Sequence, residues 1–208
     1  MTPTTRQQLL ATARTLFADR GFYGVSIANI ADEHGLSKQA LLHYFPTKEK
    51  LYGEILKEIA SELEQMKSDA MSSGADPAEQ LKRLLSGMIP AHPADTERAR
   101  ILMRELLDNK HRAETVGAWY LKPFLEDITN LAKTIPAWSN LSDTQTLAVI
   151  YQLLGAANYF SVSEPTLRGI FGKRNYVALT RVFATQFDAL IDAVTSGSPL
   201  QKEKTIYP

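Results

Sequence analysis

Apolar residues recur along this chain at helical spacing, and nowhere do they alternate with polar ones for long. Leu9, Leu10, Ala13, Leu16 and Phe17 make one stripe, opened by Thr4 or Thr5 and closed by Gly21. Ile27, Ile30 and Ala31 make a second, shorter one that stops at His34-Gly35. Glycine suits the left-handed geometry that ends a helix. Leu36 follows as a single apolar plug, and Ser37 is an N-cap for a third helix, Lys38 to Tyr44, with Leu41 and Phe45 on one face. Pro46 breaks the pattern. Thr47 caps the next helix, whose charged first turn (Lys48, Glu49, Lys50) predicts exposure.

That fourth helix carries Leu51, Ile55, Leu56, Ile59, Leu63 and Met66 and runs from about residue 48 to residue 70. At 1.5 Å per residue it reaches about 35 Å. A loop follows over residues 72–77. Asp76-Pro77-Ala78-Glu79 then starts a helix with Leu81, Leu84, Leu85, Met88 and Ile89 inside. Asp95 is expected to cap a helix over residues 96–109. Another is expected over 113–134, kinked or split at Pro123. Ser142 caps the stretch 143–163, which is apolar nearly all round and so needs cover on several sides. Glu164-Pro165 is expected to end it, with a helical turn over 166–171 and a last helix over 176–194. The prediction is an all-α chain in three parts. Residues 1–47 form a three-helix helix-turn-helix domain, 48–196 a helical bundle for ligand binding and dimerisation, and 197–208 a flexible tail.

Composition narrows the picture. The 208 residues are 44% apolar and 22% charged with no net charge, which does not describe a non-specific nucleic-acid coat. Residues 1–50 hold six basic side chains against four acidic ones, a mild excess that weakly supports DNA binding. With no cysteine, disulfides, thiolate catalysis and Cys-based zinc sites are excluded. The first twenty residues do not read as a signal peptide. The longest apolar-rich run, residues 147–160, falls short of the roughly 20 needed to span a bilayer. The expected location is cytoplasmic, with no membrane partner.

Helix, tight glycine-containing turn and helix make the helix-turn-helix pattern, whose second helix can lie in the major groove of DNA. The side chains near its start are Lys38, Gln39 and Ala40. Lysine can donate to guanine O6 and N7, glutamine can pair with adenine N6 and N7, and alanine can touch a thymine methyl. Ser26, Ser37, His43, Tyr44, Thr47 and Lys48 are the candidate phosphate partners.

These segments, LLATARTLFADRGF, SIANIA and GLSKQALLHYFPTKEKL, resemble the DNA-binding domain of TetR-type transcriptional regulators over residues 9–56. The resemblance implies a homodimer that binds a palindromic double-stranded operator and is released by a small-molecule effector. Two positions depart from the family's habit. Gln39 stands where a small residue is frequent, and Leu42 where a tyrosine is. Beyond about residue 60 the resemblance supports only helices.

Catalytic signatures for nucleotide, hydrolase or zinc-protease chemistry are absent, and the four histidines show no helical pairing for a metal. No catalytic residue, metal or cofactor is predicted. The bundle can instead hold a largely apolar ligand among Met88, Met103, Arg104, Trp119, Tyr120, Phe124, Tyr151, Asn158 and Tyr159. Leu147, Tyr151, Leu154, Val182, Phe183, Phe187 and Leu190 are the expected dimer interface. Two other readings stand beside the regulator: an all-α enzyme with a site in the bundle, and a protein–protein interaction module whose helix-turn-helix is purely structural.

Overall fold

The computed structural model describes residues 3–90, 93–108 and 120–197. Among them every regular element is helical. The helices are α1 (Thr5–Arg20), α2 (Ile27–Asp32), α3 (Lys38–Tyr44), α4 (Lys48–Met71), α5 (Pro77–Ser86), α6 (Pro93–Asp108), α7 (Lys122–Lys133), α8 (Asp143–Val162) and α9 (Glu164–Thr195), with a 3-10 turn at Pro136–Trp138. They fall into two compact units, Met1–Glu64 with Pro90–Leu121, and Gln65–Ile89 with Lys122–Pro208.

In the first unit α1 packs on α2 and α6, and α2 packs on α3. Thr4 caps α1: its hydroxyl accepts from the Gln7 N–H while Gln7 reaches back to the Thr4 N–H. The stripe of α1 is wholly buried, together with Ile30, Leu41, Phe45, Leu51, Ile55 and Ile59. An aromatic cluster fills its centre. Tyr52 stands edge-on to Phe17 and Phe22, at 5.0 and 5.2 Å between ring centroids.

Charge ties this unit together as well. The Arg14 guanidinium donates to both carboxylate oxygens of Glu62 on α4, and its Nε lies 3.7 Å from Glu97 on α6. Arg98 reaches Asp95 at 3.1 Å and Glu62 at 3.5 Å. Burial opposes the Arg14 charge, but the Glu62 carboxylate outweighs it and the guanidinium's pKa is raised.

In the second unit α5 packs against α7, α8 and α9, and α8 packs against both α7 and α9. Trp138 is fully buried, and its indole N–H donates to the Val194 carbonyl at 2.9 Å. Phe160 of α8 stacks on Phe183 of α9 with centroids 3.8 Å apart.

Three boundaries differ from the pattern's prediction, and a fourth, at Pro123, fits the split rather than the kink. Helix α6 begins at Pro93, so Asp95 sits inside its first turn and pairs with Arg98 instead of capping. Helix α7 begins at Lys122 with Pro123 in its first turn, where a missing N–H costs nothing. The expected helix over residues 113–134 otherwise starts outside the described residues. Pro165 likewise opens α9 rather than ending α8. That helix runs through the expected gap at 172–175, interrupted only at Gly172 (φ 79°, ψ 157°), a backbone region open essentially to glycine.

Candidate nucleic-acid interface

Helices α2 and α3 are short, six and seven residues, and too short to persist alone. Caps and packing hold them. The turn between them is closed by Leu36 N–H donating to Ala31 O at 3.0 Å, with Gly35 at φ 62°. The Thr12 hydroxyl and His34 Nε2 are hydrogen-bonded at 2.8 Å, which fastens the turn to α1. Leu41 is fully buried and anchors α3, so its opposite face must point outward.

That outward face carries the expected base readers. Lys38 and Gln39 are exposed and Ala40 is half-buried. Among the described residues neither Lys38 nor Gln39 has a hydrogen-bond or ion-pair partner. His43 and Tyr44 are exposed at the other end of the same helix. The hydroxyls divide by what they still have to offer. Ser37 accepts from the Ala40 N–H at 3.1 Å and Thr47 from the Lys50 N–H at 3.1 Å, which leaves each O–H proton for a ligand. Ser26 accepts from the Asn29 N–H but also donates its proton to Asn29 Oδ1 at 2.7 Å. Its hydroxyl is spent within its own capping box.

Lys48 is half-buried, unlike Glu49 and Lys50 beside it. The charged first turn is therefore only partly exposed. The Lys48 ammonium donates to Phe22 O at 3.0 Å and to Val25 O at 3.1 Å, and it lies 4.3 Å from the centre of the Phe22 ring. Arg6 is occupied too. It stacks over Phe45 at 4.8 Å and donates to Glu54 at 3.0 Å. The Lys57 ammonium, and then the Arg6 guanidinium, hold the Glu54 carboxyl below the usual carboxylate range.

One residue on this face escaped the pattern reading. Tyr23 is 66% exposed. It lines an open concavity of about 450 Å³ together with Gly24, Ser26, Asn29, Lys38 and Lys48. Helical periodicity cannot flag a turn residue. The available signal was an aromatic pair held between Gly21 and Gly24.

Residues 9–55 match the sequence model of the bacterial regulatory proteins of the tetR family. Over this segment, about a quarter of the chain, the sequence is similar to the DNA-binding part of the tetR family. The HTH-type transcriptional repressor KstR2 of Rhodococcus jostii is 32% identical over 101 residues, 49% of this chain and 50% of that protein. The chain thus spans about half the length of that curated relative in the match. A transcriptional regulator from Rhodococcus sp. Rha1 superposes with a TM-score of 0.69 at 19% identity, covering 95% of this chain and 100% of that one. AibR, solved in complex with isovaleryl coenzyme A and operator DNA, superposes with a TM-score of 0.60 at 19% identity over 75% of this chain and 85% of its own. The fold shared with the Rhodococcus sp. Rha1 regulator therefore extends over nearly the whole chain.

The residues expected to form a ligand pocket do not gather in one unit. Met103, Arg104 and Tyr120 belong to the first, whereas Met88, Phe124, Tyr151, Asn158 and Tyr159 belong to the second. Trp119 lies outside the described residues. Arg104 is used structurally: it donates to the Ala18 and Asp19 carbonyls at the end of α1, at 3.2 and 2.8 Å. Met88 and Phe124 are buried, Tyr151 and Tyr159 are exposed, and Asn158 donates to Leu154 O within its own helix.

The expected interface residues divide similarly. Leu147, Tyr151, Val182 and Leu190 are exposed on α8 and α9. Leu154 and Phe187 are buried in the unit's own core, and Phe183 is half-buried against Phe160. Among the described residues no cluster of histidine and carboxylate could hold a metal, and no helix is long and apolar enough to cross a membrane.

Proposed function

We propose that this protein is a sequence-specific DNA-binding transcriptional regulator, a repressor released from a palindromic operator by a small, largely apolar ligand. The observation that carries the reading is α3: a helix anchored by buried Leu41 that presents unpaired Lys38 and Gln39 to solvent on a TetR-type scaffold. Lys38, Gln39 and Ala40 read bases. Ser37, His43, Tyr44 and Thr47 grip phosphates, Ser37 and Thr47 with hydroxyl protons their caps leave over. The chain is not an enzyme, and it works in the cytoplasm.

Two copies join through the apolar side chains that α8 and α9 leave exposed, Leu147, Tyr151, Val182 and Leu190 among them. Residues 1–47 serve DNA binding and 48–196 serve ligand binding and dimerisation. Helix α4 belongs to both, so a ligand held among the later helices acts on operator affinity through it. AibR, with its acyl coenzyme A and operator DNA, supports the pairing of an effector with DNA in one such fold. An effector must bind the DNA-free state better than the DNA-bound one, or it shifts nothing.

Selection of bound sites from a random double-stranded DNA pool tests the reading. The expected product is an inverted repeat with half-sites about one helical turn, or a multiple of it, apart. No enrichment from a folded, dimeric sample would sink it. On the selected site Gln39→Ala should cost about 1–3 kcal/mol and relax preference at one base pair per half-site.

A further inference from the structure

Tyr23 is a large aromatic side chain standing out of a turn, yet nothing about it is loose. The turn is drawn so tight at Gly24 that a Cβ there would lie 2.2 Å from the Arg20 carbonyl oxygen. Only glycine fits behind Tyr23. The ring is braced edge-on by Phe22, with centroids 5.3 Å apart and planes at 86°. Phe22 itself is buried against Phe17 and Tyr52. Lys48 then pins both shoulders of the turn. Its ammonium holds the carbonyls of Phe22 and Val25, which flank Tyr23-Gly24, and caps the face of the Phe22 ring. One ring contact, a tight turn and two clamped carbonyls thus set the backbone and ring of one exposed tyrosine.

The phenol shares its concavity with Lys38, the first residue of α3. A chain of DNA that lets Lys38 reach a base edge must therefore pass its sugar-phosphate backbone near this concavity. A pre-ordered tyrosine suits such a contact. It offers a hydroxyl donor and a broad apolar ring at small cost in side-chain entropy. Lys48 does not suit it, because two of its three N–H donors already end on carbonyls inside the protein.

We propose that Tyr23 is a DNA-contacting residue, its phenol meeting a backbone phosphate beside the groove that Lys38 enters. Lys48 is then a positioning residue that sets Tyr23, not a phosphate ligand itself. The inference rests on the regulator reading above and assigns roles within its interface that neither the family match nor the helical pattern supplies.

The test uses the full-length protein and the inverted repeat it selects, with affinity measured by fluorescence anisotropy across a salt series. Tyr23→Phe removes only the hydroxyl and should weaken binding about tenfold per half-site, the size of one hydrogen bond to a charged oxygen. Tyr23→Ala should weaken it at least as much. Lys48→Met should weaken binding while leaving the slope of log affinity against log salt at the wild-type value. A lysine on a phosphate would instead flatten that slope by about 0.9 per lysine removed. The double variant should bind no more weakly than the weaker single one, because Lys48 acts through Tyr23.

Wild-type affinity in both Tyr23 variants overturns the contact. A flattened slope in Lys48→Met overturns the positioning role. Should Lys48→Met fail to fold, Tyr23→Phe, a surface change of one oxygen, still decides the contact. A wild-type protein that enriches no DNA brings down the regulator reading and this inference with it. Enriched DNA with indifferent Tyr23 variants brings down this inference alone.

Discussion

Replacing Glu62 by glutamine keeps the side chain's shape and removes its charge, which makes it a clean probe of the ion network in the first unit. Glu62 faces two guanidiniums. Arg14, with a side chain 11% exposed, donates to both of its oxygens, and Arg98, 8% exposed, lies 3.5 Å away. Removing one partner of a buried pair costs about 3–5 kcal/mol, because the remaining charge stays buried without compensation. Two features lower that figure here. Glu62 is 34% exposed, so its field is already screened in part, and Glu97 and Asp95 remain near the stranded arginines.

The expected loss is about 2–3 kcal/mol, which for a chain of this size lowers the melting temperature by about 4–12 °C. Far-UV circular dichroism during urea and thermal unfolding measures it. Hydrogen exchange locates it: protection should fall in α1 and around Glu62 in α4, the helices the pair joins. A loss below about 0.5 kcal/mol, the size of an ordinary surface change, would refute the argument. Water would then be reaching both guanidiniums.

Further outcomes follow from the same structure. Leu41→Ala should destabilise by about 2–5 kcal/mol and abolish operator binding, since Leu41 is fully buried and anchors α3; denaturant unfolding and anisotropy measure the two effects. Val182→Glu combined with Leu190→Glu should leave the helical content intact and convert the proposed dimer to monomer in light scattering, because both side chains are exposed on α9. The folded-state pKa of Glu54 is depressed by Lys57 and Arg6, so its stabilising contribution is present above its unfolded pKa and is lost as pH falls through the lower folded value. Urea midpoints of Glu54→Gln should therefore fall less than wild type's across that acid range. Gly172→Ala should cost about 1–3 kcal/mol in backbone strain alone, as no atom lies within 4 Å of an added Cβ; a urea titration reads it.

By itself the amino-acid order determined the helices and most of their ends. Those features depend on neighbours three or four residues apart and on caps such as Thr4, Ser37 and Asp76, all of which are local. It also determined the helix-turn-helix, because a glycine-closed turn between two short stripes is a local pattern, and Leu41 marks the side of α3 that is buried. The structure decided what each polar side chain is spent on. Lys48 and Ser26 have the chemistry of phosphate partners, and only the fold shows carbonyls 22 and 25 and the Asn29 amide already using them. Arg104 reads as a pocket residue until the end of α1 is found beside it. Pro165 was misread for a related reason. A proline's missing N–H is costly inside a helix and harmless in a first turn, so Pro165 changes meaning with a boundary that packing sets. Periodicity also could not tell which apolar residues of α8 and α9 turn inward. Both helices are apolar on more than one side, and only their packing on α5, α7 and each other separates buried Leu154 and Phe187 from exposed Tyr151 and Val182.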